Sequence, residues 1–182
     1  MKRLRGLTFS EIAFEIAGAL DRAGVHAVLS GGSAATLYAP EAYQTADFDF
    51  VLLEQSQAAT RERLSDELAE IGFFPAKARG TYSNSEIPFT LELLPGPLAV
   101  GSEVLTEWET LVSGDQVLRI LRPEDSIKDR LAAAIHWNDL SSAKQAAYVA
   151  SVKPVNLDEI KHWCASEGGQ RTFESFASFL RL

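Results

Sequence analysis

Val25-His-Ala-Val-Leu-Ser-Gly-Gly-Ser-Ala-Ala35, followed after a short gap by Thr45-Ala-Asp-Phe-Asp-Phe-Val-Leu-Leu53, joins two apolar runs through a glycine-rich turn. Val25 to Leu29 is a short apolar run suited to a buried strand. Gly31-Gly32-Ser33 follows as a tight turn, and Ser33 to Ala39 reads as a short helix ended by Pro40. Ala46 to Leu53 reads as a second strand. Side chains two apart on a strand share a face, so Asp47 and Asp49 present two carboxylates together, next to the glycine turn. Two ionised groups in so apolar a strand are costly unless something pairs them. A pair of carboxylates beside backbone N–H groups suits a divalent cation plus a phosphate. The alternative is an edge strand whose acids face water, and the flanking Phe48, Phe50 and Val51 weigh against it.

Working outward, Thr8 to Arg22 reads as an amphipathic helix, with Ile12, Ala13, Ile16, Ala19 and Leu20 at helical spacing. Ser10 is the expected cap and Gly24 the expected stop. Downstream, a loop with Ser56 opens a helix from about Gln57 to Ile71, whose buried stripe is Leu64, Leu68 and Ile71 and which Gly72 ends. Phe73 and Phe74 start a strand. Residues 77–89 form a hairpin or loop containing Tyr82. Phe89 to Leu94 is a strand carrying a third acid, Glu92, between Leu91 and Leu93, and Pro95-Gly-Pro97 breaks it. For Glu92 too the alternative is an edge strand. Val117 to Leu121 is a further strand. From Pro123 the pattern is helical: Glu124 to Trp137, Asp139 to Ala150, Leu157 to Ser166 and Phe173 to Leu180. Asn156-Leu-Asp-Glu159 resembles a capping box. The shift in character near Arg122 divides the chain into an α/β core, 1–122, and a C-terminal helical subdomain, 123–182, with no repeat in either.

Bulk properties narrow the function classes. The 182 residues are 46% hydrophobic, with a mean hydropathy of −0.03, ordinary values for a globular protein with a sizeable core. The formal net charge is −8 and the pI about 4.9. Phosphate neutralisation needs clustered Lys and Arg, so generic DNA binding is not expected, although a local basic patch could still hold an RNA. The single cysteine, Cys164, cannot form a disulfide within the chain, which fits a reducing cytoplasm. Lys161-His-Trp-Cys164 supplies two ligands, too few for zinc. Ser10, Glu11 and Glu15 interrupt the N-terminal apolar positions, so neither a signal peptide nor a membrane segment is expected.

The order of strand, glycine-serine turn, helix, Asp-x-Asp strand and later acidic strand resembles the DNA polymerase β-like nucleotidyltransferase superfamily. Ser30-Gly31-Gly32-Ser33 stands for the turn, with Ser30 departing from the apolar residue usual before the glycines. Asp47-Phe48-Asp49-Phe50 matches the second element in full, and Leu91-Glu92-Leu93 the third. Within the superfamily the chain is similar to small stand-alone members related to abortive-infection nucleotidyltransferase toxins. Arg122-Pro-Glu-Asp-Ser-Ile-Lys-Asp-Arg-Leu-Ala-Ala-Ala is similar to the helix after the core in those proteins, which places their phosphate-contacting lysine at Lys128. A later aspartate would correspond to Asp139, at a shorter spacing.

This resemblance implies an α+β fold: a mixed sheet flanked by helices, then a helical subdomain. It implies Asp47, Asp49 and Glu92 as catalytic ligands of one or two Mg²⁺ ions. Gly31, Gly32, Ser33 and Lys128 are implied to bind the phosphates of a nucleoside triphosphate. The implied reaction moves a nucleoside monophosphate to an RNA or protein hydroxyl and releases pyrophosphate. Two alternatives accompany it: a catalytically silent binding or regulatory module on the same fold, and one half of a toxin–antitoxin pair with an antitoxin partner. Judged without the resemblance, Lys128 is a solvated helix lysine and the glycines an ordinary turn. His26, His136, Trp137, His162 and Trp163 read as packing or surface residues, and Tyr82 as a surface aromatic that could stack on a base.

Overall fold

The structure, a computed structural model, describes residues 3–53 and 58–180. In chain order the elements are α1 (Phe9–Arg22), β1 (Ala27–Ser30), α2 (Gly31–Tyr38), β2 (Asp47–Leu52), α3 (Ala58–Glu70), β3 (Phe74–Pro75), β4 (Thr81–Ser83), β5 (Thr90–Leu94), β6 (Ala99–Val100), β7 (Glu103–Val104), β8 (Glu109–Ser113), β9 (Gln116–Ile120), α4 (Pro123–Trp137), α5 (Leu140–Val152), α6 (Leu157–Ser166) and α7 (Gln170–Phe179). Ser56 and Gln57, at the expected start of α3, lie outside the described residues. Among the described residues no helix is long and apolar enough to cross a membrane.

The chain divides into two compact units. The first takes in Met1–Leu29, Ala46–Leu98 and Trp108–Ile120. Its centre is a seven-stranded mixed sheet in the order β3-β4-β5-β2-β1-β9-β8. β2 pairs with β5 and β1 with β9 in parallel, while β3–β4, β4–β5 and β8–β9 are antiparallel. β2 lies between β5 and β1, and β5 lies between β4 and β2. Neither is an edge strand, which removes the water-facing edge as an account of their acids.

Alternation fixes which face of these strands is buried. Phe48 and Phe50 on β2 and Leu91 and Leu93 on β5 are buried, while the residues between them are half-buried. Phe48 stacks on Phe9 with ring centroids 4.2 Å apart and meets Phe89 edge-on at 5.5 Å. α1 packs against β9 and α3 through Ile12, Ile16 and Leu20, its predicted apolar stripe. Its cap is Thr8, not Ser10: the Thr8 hydroxyl accepts from the Glu11 N–H at 3.2 Å, and the Glu11 carboxylate accepts from the Thr8 N–H at 2.7 Å. This is a reciprocal capping box, which satisfies two end groups where Ser10 would satisfy one.

The second unit takes in Ser30–Thr45, Ala99–Glu107 and Leu121–Leu182. Here α4 packs against α5, α2, α6 and α7, and on the small β6–β7 hairpin. Ile127, Leu131, Ala146, Val149, Ile160, Trp163 and Phe176 supply its buried core. The Tyr38 hydroxyl donates to the Leu121 carbonyl at 2.6 Å, tying α2 to the start of the helical segment. Asn156 caps α6 as expected, its side chain accepting from Asp158 and Glu159.

Candidate active site

The parallel β2–β5 ladder places Asp47 level with Thr90, Phe48 with Leu91, Asp49 with Glu92 and Phe50 with Leu93. Register partners on parallel strands share a face, about 5 Å apart. Asp47, Asp49 and Glu92 therefore stand on one face, opposite the buried Phe48, Phe50, Leu91 and Leu93. The antiparallel β4–β5 ladder extends the row, placing Thr81 beside Glu92 and Ser83 beside Thr90. The result is a polar patch of acids and hydroxyls in the middle of a sheet. Within it the Thr90 hydroxyl donates to Asp47 Oδ1. Tyr82 pairs with Leu91, so it belongs to the other face from the acids, and its burial raises the phenol above its ordinary range.

The donor set is chemically apt for a hard cation: among the described residues this face offers carboxylates and neither a thiolate nor an imidazole. It is not a ready-made cage, because among the described residues no three His, Cys, Asp or Glu side chains meet around one point. Mg²⁺ does not require such a cage. It keeps several waters and is held by one or two carboxylates together with substrate phosphates. The residues present fit Mg²⁺ delivered with a nucleotide, and they do not fit a resident all-protein metal site.

The other candidate residues belong to the second unit. α2 begins at Gly31, two positions before the expected Ser33, so the glycines form its first turn. Gly31 has φ +61°, which an L side chain adopts only under strain. A Cβ on Gly32 would lie 3.2 Å from the Thr45 hydroxyl oxygen, closer than a side chain ordinarily sits. The Ser33 hydroxyl donates to the Ser30 carbonyl at 2.6 Å. The Ser30 side chain makes no cap, so first-turn N–H groups of α2 receive no hydrogen bond from it.

Lys128 is buried. Its Nζ donates to Glu159 at 2.8 Å and Glu103 at 3.2 Å, and lies 3.8 Å from Asp125 Oδ1. Burial alone would lower the ammonium, but the Glu159 and Glu103 contacts outweigh it and hold Lys128 above its ordinary range. Arg122 completes the group, bonding Asp125 Oδ2 at 2.8 Å and Glu107 at 2.7 Å. Two cations thus face four carboxylates. Asp139 is the N-cap of α5, accepting from Ser141 and Ser142, and those bonds hold it below the usual carboxylate range. Trp137 is 80% exposed, and Trp163 is buried between the C-terminal helices.

No family model and no curated protein sequence matches the chain. Among solved structures, the chain is similar to an antigenic nucleotidyltransferase-like protein from Paracoccidioides brasiliensis. The TM-score is 0.62 at 15% identity, over 98% of this chain and 94% of that one. Two structures of the antibiotic-resistance factor ANT(2'')-Ia match more loosely. The solution structure has a TM-score of 0.47 at 14% identity over 94% of this chain and 91% of that one. A complex with adenylyl-2''-tobramycin has a TM-score of 0.41 at 16% identity over 94% and 95%. The fold is that of the nucleotidyltransferase-like proteins, an α+β fold with a mixed sheet and flanking helices.

Proposed function

We propose that the chain is a Mg²⁺-dependent nucleotidyltransferase whose acidic face on β2 and β5 receives a nucleoside triphosphate. The observation that carries this reading is the register of Asp49 with Glu92 on two interior strands, with Asp47 on the same face. A hard cation carrying phosphate oxygens suits a half-buried row of three carboxylates. When bound, Mg²⁺ would neutralise phosphate charge as the bond to pyrophosphate breaks. Asp47 and Asp49 are the proposed residues that would hold that ion. Glu92, beside Asp49, is the proposed third acid of the metal site, and one of the three acids is proposed to accept the proton of the acceptor hydroxyl. The first-turn N–H groups at Gly31, Gly32 and Ser33 and the Lys128 ammonium are proposed phosphate contacts. The proposed acceptor is an RNA or protein hydroxyl.

One observation favours a second reading, a catalytically silent regulatory module or toxin–antitoxin component. Lys128 is already neutralised by Glu103, Glu159 and Asp125, so a phosphate would have to displace them. Thermal melting separates the two. A ligand that binds only the folded state raises the midpoint by mass action. Active-site binding predicts a rise with Mg²⁺ plus a nucleoside triphosphate and little with Mg²⁺ alone. No rise with any of the four nucleotides would favour the silent module.

A further inference from the structure

Thr90 opens β5 and is level with Asp47. Its N–H donates to the Ala46 carbonyl at 3.1 Å, and its hydroxyl donates to Asp47 Oδ1. Backbone and side chain are thus both anchored to the start of β2. A β-branched residue on a strand has few χ1 choices, so the hydroxyl is held where the ladder puts it. The bond restrains the rotation of the Asp47 carboxylate about its last torsion. It also requires Oδ1 to act as an acceptor.

We infer that Thr90 is a positioning residue for Asp47, orienting that carboxylate toward a divalent cation carried by the phosphates. This rests on the function proposed above, and Thr90 itself touches neither substrate nor ion. Outer partners of metal-ligating carboxylates act this way, and losing one weakens metal affinity by roughly 10–100-fold. Valine has nearly the shape of threonine without the hydroxyl, so Thr90→Val removes the bond and little else. Thr90→Ser restores a hydroxyl, and Thr90→Ala is a second deletion if Val packs badly.

The test measures Mn²⁺ with inorganic tripolyphosphate, a probe that needs no knowledge of the base, by electron paramagnetic resonance of the bound ion. Melting temperature controls for folding. Thr90→Val should bind about tenfold more weakly at an unchanged melting temperature. Thr90→Ser should recover most of the affinity, and Asp49→Asn should lose it. Wild-type affinity in Thr90→Val and Thr90→Ala, with loss in Asp49→Asn, overturns the role of Thr90 and leaves the proposed function standing. No binding to the wild type, or undiminished binding to Asp49→Asn, overturns both.

Discussion

Asp49 on β2 and Glu92 on β5 are lateral neighbours in a parallel strand pair, so two carboxylates stand side by side on the half-buried face of two interior strands. Like charges directly opposite on neighbouring strands are destabilising, by an amount of order 0.5 kcal/mol. Without metal or nucleotide, Glu92→Gln should therefore raise stability by about that much at neutral pH, roughly 1–2 °C in melting temperature. Urea or thermal denaturation with chelator present reads it. A clear loss of stability would mean that Glu92 is held by a native partner and is not a cost carried for function.

Lys128 should be a stability residue whatever its part in phosphate binding. Its side chain is 3% exposed and compensates Asp125, which is fully buried, together with Glu103 and Glu159. Removing one partner of a buried ion pair leaves charge uncompensated and typically costs 3–5 kcal/mol. Glu103 and Glu159 are nearly half-exposed and can turn to water, so about 3 kcal/mol is expected for Lys128→Met. Chemical denaturation of the variant measures it. Asp125→Asn alongside should recover part of the loss by removing the most buried negative charge.

Glu167 predicts a pH dependence of stability. The Ser102 hydroxyl donates to its Oε1 at 2.5 Å and the Ser102 N–H at 2.9 Å, and His136 Nε2 lies 3.1 Å from Oε2. These contacts, led by the Ser102 hydroxyl, hold the carboxyl below its ordinary value of 4.5 against the opposing effect of burial. A group depressed in the folded state stabilises fully above its unfolded value and loses that contribution as pH falls through the folded one. Stability should thus be flat in this contribution above about pH 5 and decline below 4.5. Ser102→Ala should flatten that decline and lower the plateau, and Glu167→Gln should abolish it. Denaturation series from pH 3 to 7 resolve both.

Much of the fold was legible because its elements carry local signals. α1, β2, β5 and the four C-terminal helices have clean periodicity or capping residues, and the Asp47-Phe48-Asp49-Phe50 alternation alone separated the polar from the buried face. The two-residue strands β3, β6 and β7 are too short to show a period. β8 is an edge strand whose Thr110, Val112 and Ser113 are all exposed, so it has no apolar alternation to read. Thr8-x-x-Glu11 carries the capping-box pattern, and Ser10, which lies inside it, competes as a cap in the sequence alone. Thr90 and the carboxylates around Lys128 were not legible. Asp47 and Thr90 are 43 positions apart, and Lys128 and Glu159 are 31 apart, so only the ladder and the helix packing bring them together. The flanking Phe48, Phe50 and Val51 pointed to an interior β2, whereas the interior position of β5 came from topology.

The proposed function requires the acids of β2 and β5 to act on a nucleoside triphosphate. It is tested most directly by incubating the protein with Mg²⁺, each α-³²P-labelled nucleoside triphosphate and a cell extract, comparing wild type with Asp49→Asn. Label should pass to an RNA or protein with the wild type, and at least a hundredfold less with a variant that melts normally, about 2.7 kcal/mol of lost transition-state stabilisation. Transfer by Asp49→Asn at the wild-type rate would contradict it.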